Sequence, residues 1–208
     1  MKTKRCRQSA NLLFLVILST WLISRFTPAQ VVGKILPPWQ EGMLDIHQIS
    51  TGRGNSAFFI LPDGTTMLVD AGALGSRTIR HVDPRPNDSR TPAEWSSRYI
   101  QQMHPAQDSP ALDYALLTHF HGDHMGSVEE TTKLSSSGKY QLAGITEVGE
   151  QIPIQKILDR GWPDYDLPSP MNSQMMENYR AFLAWQAESK GLIIHRFQPG
   201  DNDQITLT

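Results

Sequence analysis

The stretch Ala115–His124 has the sequence Ala-Leu-Leu-Thr-His-Phe-His-Gly-Asp-His, so three imidazoles and a carboxylate directly follow a short apolar run. The apolar run is typical of a buried strand, and the polar residues begin where that strand ends. Side chains two residues apart in an extended chain point the same way, so His119 and His121 can converge on one metal ion. A glycine then lets the chain turn, after which Asp123 and His124 can face a second ion. Imidazole and carboxylate ligands favour zinc, with manganese and iron as alternatives.

The alternative interpretation of this stretch is a surface cluster of histidines without a metal. The spacing directly after a buried strand favours the metal site. We therefore predict that His119, His121, Asp123 and His124 are metal ligands. Asp123 is also the predicted catalytic residue, because a ligating carboxylate can orient the attacking nucleophile.

The motif Thr118–His124 resembles the signature of the metallo-β-lactamase fold hydrolases. Two further segments are similar to parts of that family: Leu68–Gly72 resembles its upstream strand end with Asp-x-Gly, and Met43–Ala57 resembles its opening hairpin. The hairpin, together with Leu61–Thr65, is most similar to the hydrolase domain of bacterial competence proteins. The resemblance extends over Met43–Val128 and is only architectural beyond it.

This resemblance implies an α+β fold, an αββα sandwich of two sheets between helices. It also implies a binuclear zinc hydrolase in which a metal-bound hydroxide attacks a small molecule with a phosphodiester, lactone or amide group. Asp70, at the end of a neighbouring strand, is interpreted as an acceptor that orients a ligand histidine or the motif loop. A carboxylate that only ties down the turn before Gly72 is an equally compatible interpretation.

The chain departs from the family downstream of the motif. A complete site of this class takes a third histidine, a bridging aspartate and a further histidine from that region. The only downstream histidine is His195, and its alternation with apolar residues in Ile193–Phe197 predicts a half-buried core side chain rather than a ligand. We therefore expect the chain to represent the N-terminal portion of such a domain, incomplete at its C-terminus. The alternative function is a truncated or degenerate metal-binding module without catalytic activity.

Other polar residues are weaker candidates. His47 and Asn55 belong to the opening hairpin, where a role in lining the site competes with a purely structural role. His81 and His104 fall in predicted loops and are expected to be solvated.

The N-terminus has the layout of a signal peptide. Met1–Arg7 carries four basic residues, Leu12–Ile23 is almost wholly apolar, and small residues precede Gln30. We expect cleavage after Ala29, which makes the protein secreted or periplasmic; an uncleaved leader would instead anchor it in the membrane. Cleavage would also remove Cys6, the only cysteine, so no disulfide is expected.

The predicted division of the chain is therefore a signal peptide over residues 1–29, a lead-in over 30–42 and the hydrolase-like domain over 43–208. Residues 1–29 hold five of the 19 basic residues and none of the 21 acidic ones, which leaves the remainder with a formal charge of −7. This charge argues against a groove for long nucleic acids. It permits small phosphoesters, because bound dications reverse the sign locally.

Residue patterning also predicts the main secondary structure. The predicted strands are Met43–Ser50, Ala57–Leu61, Thr66–Asp70, Leu112–Thr118, Leu192–Phe197 and Gln204–Leu207. Helices are expected from a capping box at Thr91 to about His104, and over Ser173–Lys190 with Gly191 as the stop. Met125–Leu134 is expected to begin with a helical turn, and Ile152–Leu158 fits either a strand or a short helix.

Overall fold

The computed structural model describes residues 33–74 and 82–207. The predicted signal peptide over residues 1–29 and the candidate His81 therefore lie outside the described residues. All helices and strands reported below belong to one compact unit that begins at Pro38. Within the described ranges, no helix combines the length and apolarity needed to cross a bilayer.

The described residues form six strands and four helices, which confirms the α+β class. The strands are β1 (Asp45–Gln48), β2 (Ser56–Ile60), β3 (Thr66–Ala71), β4 (Leu112–Leu116), β5 (Ile154–Asp159) and β6 (Ile193–Arg196). The helices are α1 (Pro92–Met103), α2 (Gly122–Met125), α3 (Ile145–Gln151) and α4 (Gln174–Lys190).

The strands form a single mixed sheet in the order β1 to β6. The first three strands are an antiparallel meander, and the pairs from β3 to β6 are parallel. Leu116 of β4 is in register with Val69 of β3 on one side and with Leu158 of β5 on the other. Because parallel strands finish at the same edge of a sheet, the residues that follow β3, β4 and β5 gather there.

Helices cover one face of the sheet. His47 of β1 and Phe58 of β2 lie side by side on this face. The ring of His47 bonds through Nδ1 to the hydroxyl of Tyr99 in α1 at 2.9 Å, and Phe58 stacks on His104 at the end of α1. Phe58 has no exposed surface, and the same holds for Ile157 of β5. This face is the hydrophobic core of the protein.

The opposite face of the sheet is partly exposed among the described residues. The register places one row of side chains across it: Ile46, Phe59, Met67, Tyr114, Lys156 and Ile193. Ile46 is 53% exposed and Ile193 is 50% exposed, whereas Tyr114 near the centre is covered, with its hydroxyl bonded to Thr206. The described residues thus form one sheet with helices on one side.

Both long helices begin and end as expected from their sequences. Thr91 and Glu94 exchange the two hydrogen bonds of a capping box at the start of α1, at 2.8 and 3.0 Å. Ser173 caps α4, and Gly191 ends it in the left-handed conformation. Ile152–Leu158, which was ambiguous in sequence, contributes to strand β5.

Two predicted elements are wrong. The helical turn expected to begin at Met125 instead ends there, because Gly126 adopts a φ of 97° that a helix cannot continue. Gln204–Leu207 is not a strand: the side chain of Gln204 bonds the backbone N–H and carbonyl of Gln198 at 2.6 and 2.7 Å, which closes a loop in place of a strand ladder. Helix α3 was not predicted.

Two histidines also differ from expectation. His104 is buried rather than solvated, because its ring joins two backbone groups: Nε2 donates to the Ala111 carbonyl and Nδ1 accepts from the Ala106 N–H, both at 3.0 Å. His195 is exposed rather than half-buried. It lies on β6, which ends the sheet, and its neighbour Ile194 lies on the opposite face.

Helix α3 carries a buried carboxyl group at Glu147. Burial raises the pKa of this carboxyl to about 7 and the charge of Glu94 adds to the rise, while a hydrogen bond from Thr91 and the charge of Lys133 lower it. The pKa is therefore higher in the folded chain than the ordinary value of 4.5. The contribution of Glu147 to the stability of the folded state is therefore fully present below pH 4.5, and it is lost as the pH rises through 7.

We expect Glu147→Gln to raise the free energy of unfolding by about 2 kcal/mol at pH 8, because glutamine stays neutral. At pH 4.5 the difference should nearly vanish, since Glu147 is then protonated in the folded chain. Urea unfolding at both pH values measures this. Glu150 on the same helix is the control: burial raises its pKa, but hydrogen bonds from Ser136 and Tyr140 outweigh burial and hold the pKa below its ordinary value. Glu150→Gln should therefore destabilise at pH 8, and a gain in Glu147→Gln that is independent of pH would contradict the assignment.

Candidate metal centre

The candidate site lies where β3 and β4 end, at the edge shared by the parallel strands. Asp70 stands near the end of β3, and Thr118 and His119 follow β4. The chain then enters α2, whose single turn contains Asp123 and His124. A strand end, a strand-to-helix turn and a helix therefore meet at one place.

Asp70 is fully buried and joins these segments. Its Oδ1 accepts a hydrogen bond from the Thr118 backbone N–H at 2.8 Å. Its Oδ2 accepts from the Thr118 hydroxyl at 2.8 Å, the Asn55 amide at 3.0 Å and His124 Nδ1 at 2.7 Å. Asp70 has a φ of 58°, a left-handed conformation that persists only where the surroundings impose it. The four hydrogen bonds provide that constraint.

The backbone of α2 is held by two neighbouring loops. The Asn55 N–H donates to the Asp123 carbonyl at 2.7 Å, and the Gly72 N–H donates to the Asn55 carbonyl at 2.9 Å. The Ala73 N–H donates to the Gly122 carbonyl at 3.2 Å. Gly72 itself lies so close to α2 that a Cβ at this position would overlap the Asp123 carbonyl. Only glycine fits there without a shift of the backbone.

Three of the four predicted ligands come together. The potential ligand atoms of His119, Asp123 and His124 all lie within 4.8 Å of one another. The ring centroids of His119 and His124 are 3.8 Å apart. His121 is outside this group of three, but its ring centroid lies 4.8 Å from that of His119. We call these four residues the motif cluster.

The hydrogen bonds of the two clustered histidines suit metal binding. His124 Nδ1 is bonded to the Asp70 carboxylate, so Nε2 is the ring nitrogen that could bind a metal. The Thr118 hydroxyl gives its own proton to Asp70 and can accept one from His119 Nδ1, 3.2 Å away. Burial, followed by the proximity of His124 and His121, lowers the pKa of His119, so that its ring is neutral at pH 7. Two imidazoles and a carboxylate are a donor set that fits zinc.

We expect Asp70→Asn to weaken zinc binding by about 10- to 100-fold. An amide has only one acceptor oxygen, so it cannot accept hydrogen bonds both from the Thr118 N–H and from His124 Nδ1. The measurement is a competition titration with a zinc-binding dye.

Asp113→Asn is the matched control. Asp113 also joins β3 to β4, since its Oδ2 accepts from the Thr66 N–H and hydroxyl at 2.8 Å, but it does so at the opposite end of the strands. Asp113→Asn should lower stability and leave the zinc affinity unchanged. Equal loss of zinc in both variants would mean that Asp70 acts only through stability.

The two hairpin candidates have different positions. Asn55 contacts the site twice, through its side chain to Asp70 and its backbone to Asp123. His47 instead packs against Phe58 and Tyr99, in the core beneath α1.

Two residues of the site were missed in the sequence. Thr118 was noted only as the end of a strand, although its hydroxyl contacts Asp70 and lies 3.2 Å from both His119 and His124. Arg160 follows β5 and lines a cavity with His119 and His121. The signal in the sequence that could have identified both residues is their position just after a strand. Residues that follow adjacent parallel strands lie at the same edge of the sheet.

No protein-family model matches this chain. Comparison with curated proteins likewise gives no match. The function of the chain is therefore inferred from the geometry of the motif cluster and from the sequence motif itself.

Proposed function

We propose that this protein is a metal-dependent hydrolase that binds zinc through His119, Asp123 and His124, with His121 beside them. One observation carries the proposal: the buried carboxylate of Asp70 accepts a hydrogen bond from His124 Nδ1, which leaves Nε2 as the ring nitrogen that could bind a metal. A histidine oriented by a carboxylate is the usual arrangement around catalytic zinc. A surface cluster of histidines would not require a fully buried carboxylate in a left-handed conformation to orient one of its rings.

Each residue of the proposed site has a distinct chemical role. Zinc held by these residues would supply a Lewis acid and would lower the pKa of a water molecule towards 7. Asp123 is positioned by the Asn55 N–H, which bonds its backbone carbonyl at 2.7 Å. Its carboxylate would help to hold the metal and to orient an attacking water. Asp70 and Thr118 keep the imidazole protons on Nδ1, so that Nε2 stays available for the metal.

We extend the proposal to the fold. One sheet with helices on one face corresponds to half of the αββα sandwich of the metallo-β-lactamase fold. The partly exposed row from Ile46 to Ile193 lies on the face where a second sheet packs in such a sandwich.

A second candidate function is a non-catalytic metal-binding module. It is favoured by the observation that the described residues contain a single group of three clustered metal ligands. Catalytic zinc ordinarily has three protein ligands and an open position, whereas a binuclear site needs further ligands for the second ion.

Metal content and turnover together test the two candidates. The purified full chain is dialysed against zinc and analysed by elemental analysis, and hydrolysis of a generic phosphodiester is followed in parallel. About two zinc ions per chain with turnover support the binuclear hydrolase. One ion without turnover supports the binding module, and a chain without stoichiometric zinc would overturn both.

A further inference from the structure

A cavity of about 360 Å³ opens beside the motif cluster. Its lining includes His119 and His121 of the motif, Arg160 after β5, Ser169 and Asn172 from the loop before α4, and Met176 of α4. This volume suits a small-molecule ligand. The cavity is therefore placed where a substrate of the proposed hydrolase would meet the metal.

The charge of the cavity is unusual for this chain. Residues 30–208 have a formal charge of −7, yet no acidic side chain is among the described residues that line the cavity. Arg160 is the one basic side chain in that lining, apart from the histidines. The cavity thus combines a permanent positive charge with hydroxyl and amide groups.

Arg160 is held in place without being neutralised. Its guanidinium carbon lies 5.2 Å from the centre of the Phe120 ring, and Nη1 donates to the Leu167 carbonyl at 3.3 Å. A weaker contact joins Nη2 to Met171 Sδ at 3.9 Å. Within residues 33–74 and 82–207, Arg160 forms no ion pair with a carboxylate. Its side chain is exposed, and several of its N–H groups stay available to a ligand.

We propose that Arg160 binds the negatively charged oxygens of the substrate and that the substrate is a small phosphodiester. The inference rests on the proposed hydrolase function and narrows its substrate class. A planar guanidinium matches the paired oxygens of a phosphoryl group through two parallel hydrogen bonds.

The position of Arg160 distinguishes a phosphodiester from a lactone or an amide. Arg160, His119 and His121 line the same small cavity, so the charged group of the ligand and its reacting group are close together. In a phosphodiester these are one and the same group. A lactone or an amide is neutral at its reacting group and gains little from a cation beside the metal.

Ligand binding by the full chain tests the role of Arg160 with two probes of the same shape. Dimethyl phosphate carries a negative charge, and trimethyl phosphate is neutral. We expect Arg160→Gln to raise the dissociation constant for dimethyl phosphate by about 10- to 100-fold, as measured by NMR titration. Binding of trimethyl phosphate should not change. Arg160→Lys should restore only part of the affinity. Lysine keeps the positive charge but lacks the planar guanidinium that donates two parallel hydrogen bonds.

Arg180→Gln is the matched control. Arg180 also stacks on an aromatic ring, with its guanidinium carbon 6.0 Å from the centre of the Tyr165 ring, but it does not line the cavity. This variant should bind dimethyl phosphate like the unmodified chain.

Zinc content, measured on every sample, separates this inference from the proposed function. Unchanged dimethyl phosphate binding in Arg160→Gln, with zinc retained, would overturn the inference and leave the hydrolase proposal intact. A chain that holds no zinc would overturn the hydrolase proposal. The titration of that metal-free chain would still show whether Arg160 binds the anion.

Discussion

Simultaneous replacement of His119 and His121 by alanine is expected to abolish stoichiometric zinc binding. His119 is one of three residues whose ligand atoms lie within 4.8 Å of one another, and His121 stands beside it. The double variant leaves only Asp123 and His124, and two ligands are too few for a stable zinc site in a protein. Elemental analysis after dialysis measures the loss.

His195→Ala is the control for this experiment. It also removes an imidazole, but from the exposed strand β6 rather than from the motif cluster. Its zinc content should equal that of the unmodified chain. Retention of zinc by the double variant would exclude the motif cluster as the metal site, and loss of zinc in His195→Ala would identify His195 as a further ligand.

Gly72→Ala is expected to lower the free energy of unfolding by about 3 kcal/mol or more. The added Cβ would overlap the backbone carbonyl of Asp123, and a backbone cannot move aside as the tip of a flexible side chain can. Relief of the overlap requires α2 to separate from the loop after β3, which also breaks the hydrogen bond from Ala73 to Gly122. Urea unfolding measures the stability, and zinc affinity should fall with it because the ligands Asp123 and His124 lie on α2.

Gly42→Ala distinguishes this overlap from the general cost of replacing glycine. Gly42 has a φ of 83°, so alanine is strained there, but no atom lies within 4 Å of the added Cβ. The expected loss of stability is about 1 kcal/mol. If both variants lose the same amount, the close approach of Gly72 to α2 is not a determinant of stability.

Local sequence signals predicted the elements that local chemistry determines. The capping box at Thr91 and the glycine after Lys190 mark helix ends through hydrogen bonds between near neighbours, and both are confirmed. The turn between β2 and β3 is stabilised by an equally local contact, since the side chain of Asp63 accepts a hydrogen bond from the Thr65 N–H at 3.1 Å. Such signals need no knowledge of the rest of the fold.

The elements that depend on distant partners were harder to predict. Gln204–Leu207 has the composition of a strand, but no strand of the described residues pairs with it, and Gln204 bonds Gln198 instead. The burial of His104 depends on the Ala111 carbonyl and on stacking with Phe58, which is far away in the sequence. The pattern of residues in a short sequence segment does not reveal such contacts with distant parts of the chain.

The candidate site shows the same division. The motif cluster was predicted because its four residues lie within six positions of the sequence. Its role in binding a metal stays a prediction. Asp70 was predicted as an acceptor, and the structure places its Oδ2 2.7 Å from His124 Nδ1. The position of Arg160 could not be predicted, because Ile152–Leu158 fits a helix as well as a strand. Only a strand brings Arg160 to the edge of the sheet where the motif lies.

The sheet with one helix-covered face also influences how the stability of the protein varies with temperature. The heat-capacity change of unfolding grows with the apolar surface that unfolding newly exposes to water. Ile46 and Ile193, at opposite ends of one row across the sheet, are already about half hydrated in the folded state. Each therefore adds less to the heat-capacity change than a core side chain does. As far as the described residues determine it, the stability curve is flatter than that of a domain of equal size with both faces covered.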